Sequence, residues 1–203
     1  GQSMKYYPVF LDMKDRKVLV VGGGFVALQK IKTLLDSGAI VKVITKELIA
    51  EDIKELPVSL EIREYNENDM IGVSIVIAAT NSHEVNTKIF EHSKKYNVLL
   101  NAVDDKDNCD FILGAIVNKG DITVTISTAG KSPIVAKKIR DKVNEMLNIN
   151  YENLLEVYGN FRARAYQELN EEARKEFFHF LEEKFDEILF DNLIVKRKFE
   201  ELL

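Results

Sequence analysis

Three consecutive glycines, Gly22-Gly23-Gly24, stand between the apolar run Val18-Leu19-Val20-Val21 and the segment Phe25-Val26-Ala27. An apolar strand running into Gly-x-Gly-x-x-Ala and then a helix builds a phosphate cradle. Gly22 makes the tight turn, Gly24 lets backbone N–H groups approach a pyrophosphate, and Ala27 lets the helix pack closely on the strand. The helix N-terminus adds orphan N–H groups and a partial positive charge. The pattern alone also describes a glycine-rich turn that binds nothing. Its place between a strand and a helix gives it weight as a dinucleotide site.

Further candidates fall where strands should end. The second strand runs out in Val43-Ile44-Thr45-Lys46-Glu47. No aspartate stands at its tip, where many dinucleotide folds carry an acid for the adenosine ribose. Glu47 is the candidate ribose handle, and Lys46 could instead contact a 2′-phosphate; of the two cofactors we favour NAD over NADP. Ala78-Ala79-Thr80-Asn81 ends another strand, which turns Thr80 toward a cofactor or leaves it as helix punctuation. Asn101-Ala102-Val103-Asp104-Asp105 ends a third. Two acids there could supply a general base or order a cationic group, although adjacent Asp residues after a strand also make an ordinary turn. Ser127-Thr128-Ala129-Gly130-Lys131-Ser132-Pro133 enters a helix N-terminus and could hold an anion. Its donors Ser127, Thr128, Lys131 and Ser132 are the candidate substrate contacts; plain strand-to-helix punctuation is the alternative. The acid-rich run Glu64–Asp69 reads as a solvated face. His83, His92 and His179 are far apart and show no metal-ligand spacing.

The elements that must position these residues follow from periodicity. Residues 8–12 form an extended lead-in. Strands are expected at Val18–Val21, Ile40–Ile44, Leu60–Tyr65, Val73–Ala79 and Val98–Val103. Between them fall a helix over 25–36 stopped by Ser37-Gly38, a short helix Leu48–Leu56 ended by Pro57, and a helix from an Asn81 cap to Tyr96. Strands alternating with helices imply a parallel sheet with right-handed crossovers. After about residue 110 the rhythm changes. Phe111–Val117 and Ile122–Ser127, separated by Asn118-Lys119-Gly120-Asp121, read as an antiparallel hairpin. Ser132 caps, and Pro133 starts, an amphipathic helix ending at Leu147. From Tyr151 onward the chain reads helical. Leu154, Leu155, Tyr158, Phe161 and Ala165 fall at helical spacing, and Asn170 caps a second helix carrying Phe177, Phe178, Leu181, Phe185 and Ile188. This Phe-rich tail is core or dimer interface rather than a membrane-surface helix, because its polar face is mostly acidic.

Bulk properties narrow the class. The chain has 203 residues, 46% hydrophobic and 30% charged, with a net charge of −5. That balance disfavours non-specific nucleic-acid binding. Cys109 is the single cysteine, so no disulfide framework exists, which fits a reducing cytoplasm. No apolar run reaches the roughly 18 residues that span a bilayer. Gly1-Gln2-Ser3-Met4 reads as a tag scar before the native start.

Taken in order, six segments resemble the precorrin-2 dehydrogenase family, the N-terminal module of siroheme synthase. They are Tyr7-Pro8-Val9-Phe10-Leu11, Val20 to Ala27 with Lys30, Ala78-Ala79-Thr80-Asn81, Val85-Asn86, Asn101 to Asp105, and Ile126 to Pro133. The likeness is strong over residues 4–147 and holds for the tail only in character. It implies an α/β protein with a Rossmann-type NAD-binding domain (4–113), a small α+β dimerisation segment (114–147) and a helical C-terminal domain (148–203). It implies NAD-dependent oxidation of precorrin-2, a tetrapyrrole, to sirohydrochlorin on the way to sirohaem or cobalamin, in a homodimer. Asp104 matches the essential aspartate, and Phe25, Val26, Lys46 and Glu47 match positions that hold NAD. Some family members also insert Fe(II) or Co(II) into the product. A non-catalytic nucleotide-sensing module would share the first βαβ unit but gives no reason for the Asn101–Asp105 or Ser127–Pro133 motifs. Gly114 departs from a frequent Pro, and Thr128 from a Ser in some members. With Leu203 the last residue, methylation of the precursor is expected to come from another protein. A polycarboxylate substrate calls for a locally basic cleft, for which Lys131, Lys137, Lys138, Arg140, Arg162 and Arg164 are candidates.

Overall fold

Val18 to Val21 are apolar at every position because the strand they form is covered on both faces. In a computed structural model describing residue 1 and residues 3–203, strand β1 (Lys17–Val21) is central to a five-stranded parallel sheet. Gln2, part of the stretch read as a tag scar, lies outside the described residues. The other strands are β2 (Ile40–Thr45), β3 (Ser59–Ile62), β4 (Ile75–Ala78) and β5 (Leu99–Ala102), in the order β3-β2-β1-β4-β5. Helix α1 (Phe25–Asp36) follows β1, and α2 (His83–Lys95) connects β4 to β5. This is an α/β, Rossmann-like arrangement.

Alternation along the strands sorts the core into two layers. Val18, Val20, Val41, Val43, Ile75 and Ile77 face α1, where Ala27, Leu28 and Ile31 meet them. Leu19, Val21, Ile44, Val76, Ala78 and Leu100 face the opposite side with Ile89 of α2 and Met70. The register keeps each layer continuous: Val20 lies opposite Val43 on one side and Ile77 on the other. The strand order reverses between β1 and β4, so the loops leaving these two strands diverge and open a crevice at their carboxyl ends.

Several expected elements shift for identifiable reasons. The segment Leu48–Leu56 is not an α-helix but a tight 3-10 turn over Glu51–Glu55. Ile49 and Ala50 donate their amides to the Gly23 carbonyl (3.0 and 2.8 Å), which holds the preceding residues against the glycine loop. The cap of α2 is Ser82, not Asn81. Thr80 Oγ1 accepts the Ser82 amide (3.1 Å), and this small turn uses up residue 81; Ser82 Oγ then accepts the Val85 amide (3.3 Å). Nor is Glu64–Asp69 simply a solvated face. The Asp69 side chain is only 6% exposed and takes a two-pronged bond from Arg63 (2.6 and 2.8 Å), plus the Asn66 amide.

That Arg63 guanidinium, opposing the desolvation cost, holds the Asp69 carboxyl below its ordinary pKa of 3.8. A carboxyl depressed on folding stabilises the fold above its unfolded pKa, and the gain disappears as pH falls through the folded value. Asp69→Asn is therefore expected to cost about 1–3 kcal/mol at pH 7 and to flatten the stability profile below pH 4. Urea unfolding between pH 7 and pH 3 measures both. An unchanged profile would mean that the pair contributes nothing.

The chain divides into two units, Gly1–Leu113 and Gly114–Leu203. In the second, β6 (Ala115–Lys119) and β7 (Ile122–Ile126) form an antiparallel hairpin with Lys119 opposite Ile122, so Gly120-Asp121 alone makes the turn. Gly120 has φ +58°, as a two-residue hairpin turn requires. Phe111 to Leu113 are not strand. Helix α3 (Pro133–Met146) starts from the Ser132 cap. Four helices follow: α4 (Ile149–Glu168), α5 (Glu171–Glu183) capped by Asn170, α6 (Phe185–Phe190) and α7 (Leu193–Leu202). The second tail helix thus breaks at Lys184, and Phe185 and Ile188 belong to α6. Phe161, Phe177 and Phe199 meet edge to face at 5.2 to 6.2 Å, with Ile188 and Val195 fully buried beside them. The apolar side of the tail is therefore a core of its own. Among the described residues no helix is long and apolar enough to cross a membrane.

Candidate functional site

The crevice beyond β1 and β4 is a cleft of about 890 Å³. Gly22, Gly24, Phe25, Val26, Lys46, Glu47, Thr80 and Asp104 all line it. The residues picked from sequence in the first unit thus come to one place from four loops. Ser127, Thr128, Lys131 and Ser132 lie in the second unit.

The glycine loop is shaped by close approach. Gly22 has φ +133°, and a Cβ there would lie 2.7 Å from the Ala79 carbonyl carbon and nearer still to its oxygen. Its amide donates to Ile44 O (2.9 Å), so the loop is pinned between β2 and β4. A Cβ on Gly23 would strike Glu47 O and Thr45 Oγ1, each at 2.7 Å. Gly24 differs. A Cβ there would meet nothing within 4 Å, so it would project into space above the start of α1. No side chain caps this helix, and its first internal bond is from the Leu28 amide to Gly24 O (3.0 Å). The amides of Phe25, Val26 and Ala27 therefore have no helical partner. Open space, free amides and the positive end of a helix dipole suit the pyrophosphate of a dinucleotide.

At the ribose end, Thr45 Oγ1 donates to Glu47 O (2.6 Å) and fixes the turn that carries Lys46 and Glu47. Among the described residues the Glu47 carboxylate has no partner. Sequence reading missed the neighbouring strand end: Arg63, Glu64 and Tyr65, just past β3, also line the cleft. Their signal was hidden because the run looked like surface charge. Thr80 lines the cleft as expected, but its hydroxyl is engaged internally, donating to Asn86 Oδ1 (2.6 Å) while Asn86 Nδ2 returns a bond to Thr80 O (3.0 Å). Thr80 and Asn86 together brace the β4 turn.

The two adjacent acids separate clearly. Asp105 accepts a bond from Asn108 Nδ2 (2.6 Å) and lies off the cleft wall. Asp104 lines the cleft, exposed, with no hydrogen-bond or ion-pair partner among the described residues. The loop bearing it is closed at its base against β5. Cys109 Sγ accepts the Ala102 amide (3.1 Å) and lies 3.2 Å from both Ala102 O and Asp105 O, either of which can accept its S–H. Burial pushes this thiol above its usual pKa, so it stays protonated and able to donate. Asp110 exchanges two bonds with Leu100, each 2.8 Å, and Asn101 Nδ2 donates to Phe111 O (3.1 Å).

In the second unit, the Ser127–Pro133 loop turns through Ala129 (φ 52°) and Gly130 (φ 79°). Thr128 Oγ1 donates to Ser132 O (3.0 Å) and accepts the Ser132 amide (3.2 Å). Ser127 and Ser132 accept backbone amides at 3.1 Å, which leaves their protons free to donate. Lys131 is exposed, its amide donates to Thr128 O (3.0 Å), and its ammonium has no partner among the described residues. Of the other candidate cations, Arg140 pairs with Asp141 and Arg164 with Glu168, while Arg164 also stacks on Phe199 at 4.5 Å.

A parallel sheet with a glycine cradle at its switch point defines a dinucleotide-binding α/β protein. Residues 9–115 match the family described as "Putative NAD(P)-binding", and residues 119–146 match "Sirohaem biosynthesis protein central". The chain belongs to this NAD(P)-binding family, in the group that contains siroheme synthases and precorrin-2 dehydrogenase. It is 36% identical over 179 residues to the siroheme synthase of Photobacterium profundum, covering 86% of this chain and 38% of that protein. It is 33% identical over 198 residues to that of Pseudoalteromonas translucida, covering 96% of this chain and 40% of the relative. The chain thus spans about two fifths of the length of these relatives. The solved structure of SirC, precorrin-2 dehydrogenase, superposes with a TM-score of 0.74 at 25% identity, covering 97% of this chain and 98% of that one.

Proposed function

We propose that the chain oxidises precorrin-2 to sirohydrochlorin with NAD as hydride acceptor and Asp104 as general base. The observation that carries this reading is the position of Asp104: a free carboxylate lining the same cleft as the glycine cradle. The names of the relatives supply the substrate class. Bound NAD would take the hydride from the partly reduced macrocycle. Phe25 and Val26 would offer their amides to the pyrophosphate, and Glu47 would accept from the ribose hydroxyls. Asp104 would take the proton that leaves with the hydride, a role open to a solvated carboxylate with no competing donor. Ser127, Lys131 and Ser132 would hold substrate carboxylates, with Thr128 shaping their loop. Residues 114–147 would pair two copies into a homodimer, and residues 148–203 would form a helical domain.

The test is anaerobic incubation of the purified protein with enzymatically made precorrin-2 and NAD or NADP, with and without Fe(II). NADH absorbance should rise together with the sirohydrochlorin spectrum. Absence of both with either cofactor would overturn the reading.

A further inference from the structure

Three cations line the cleft, and each has a carboxylate partner. Arg63 is held by Asp69 (2.6 Å) and by Glu61 (2.6 Å). Lys88 pairs with Glu84 (2.9 Å), one turn earlier on α2. Lys46, on the loop after β2, pairs with Glu64, on the loop after β3, at 3.4 Å. The cleft wall therefore holds Lys46, Arg63 and Lys88 against Glu47, Glu64, Glu84 and Asp104, an excess of negative charge. The adenosine ribose of a dinucleotide lies at the end of the second strand. A 2′-phosphate there would add about two negative charges beside Lys46, Glu47 and Glu64.

We infer that Glu64 is the residue that makes this cleft reject a 2′-phosphate, so that NAD binds and NADP does not. The inference rests on the proposed cofactor site and adds a specificity determinant to it. The Lys46 and Glu64 side chains are 80% and 79% exposed, so the strength of their pair is not the cause. The cause is the sum of charge at that point. With Glu64 present, Lys46 is neutralised and Glu47 remains as an uncompensated anion, so a phosphate meets net repulsion while a ribose diol meets an acceptor. With Glu64 neutral, Lys46 becomes a phosphate ligand. The determinant therefore sits on the loop after β3 rather than at the β2 tip, where an acid usually discriminates the two cofactors.

The experiment is equilibrium titration of the cofactor-free protein with NAD and with NADP, read by calorimetry, so no turnover is needed. Glu64→Gln should lower the ratio of the NADP to the NAD dissociation constant at least tenfold, chiefly by tighter NADP binding. The gain should shrink at high salt, as an exposed phosphate contact must. Adding Lys46→Ala to Glu64→Gln should abolish it. Glu51→Gln, the same charge change on a pair with Lys54 away from the cleft wall, should leave the ratio within twofold. A shift under tenfold in Glu64→Gln, or wild-type protein that binds NADP as tightly as NAD, would overturn the inference and leave the cofactor site standing. Wild-type protein that binds neither dinucleotide would remove the site, and this inference with it.

Discussion

Asp104→Asn is expected to lose NADH formation from precorrin-2 by about 10²- to 10⁴-fold, the usual contribution of a positioned general base. Asn keeps the shape and polarity of the side chain but cannot take a proton. Asp104 has no partner among the described residues, so the substitution breaks no bond that the fold relies on. NAD affinity should therefore stay within about twofold. This separation is what the cleft geometry demands: the cradle that would hold the cofactor lies on the β1 side, and the acid on the β5 side. Asp105→Asn is the matched control, because that carboxylate faces Asn108 instead of the cleft. Equal losses in both variants, or full activity in Asp104→Asn, would remove Asp104 from the chemistry.

Gly22→Ala is expected to destabilise the first unit by about 2–6 kcal/mol, summing the strain of a side chain at a glycine-only backbone angle and the overpacking of its Cβ. The new Cβ would run into the Ala79 carbonyl across the β1–β4 junction, at φ +133°. The two nearest atoms are Ala79 backbone, so no flexible side chain can yield. A loss of that size is a large part of the 5–15 kcal/mol that holds a domain together. Urea unfolding and dinucleotide titration should fall together. Gly24→Ala makes the contrast: its Cβ meets nothing within 4 Å, so stability should hold while cofactor affinity drops. If Gly22→Ala melts like wild type, the close approach of β1 and β4 is not as described.

Much of this was readable from residue order. The strand-glycine-helix unit is local, and α1 begins and ends where the Phe25–Asp36 periodicity puts it. Sheet edges were less readable. Strands β3, β4 and β5 come out shorter than the expected Leu60–Tyr65, Val73–Ala79 and Val98–Val103 because pairing, not hydropathy, ends a strand. The Asn81 cap lost to Ser82 because a side-chain turn at Thr80 shifted the start of α2 by a residue. Glu64 to Asp69 defeated sequence reading most fully. Five charged or amide side chains near one another look like solvent-facing surface, and only the fold reveals that Arg63 reaches back to bury Asp69 and that Glu64 borders the cleft. A charge pairing between loops that follow different strands, as in Lys46 with Glu64, leaves no period in the sequence.

The segment after the Asp104 loop has a consequence beyond the cleft. β5 is the last strand on its side of the sheet, and its outward amides at Leu100 and Ala102 are taken by a carboxylate and a thiol. Bare rows of such amides are templates on which foreign chains polymerise. Here Cys109 and Asp110 serve as a built-in stopper, so this border of the protein offers an incoming strand nothing to zip onto.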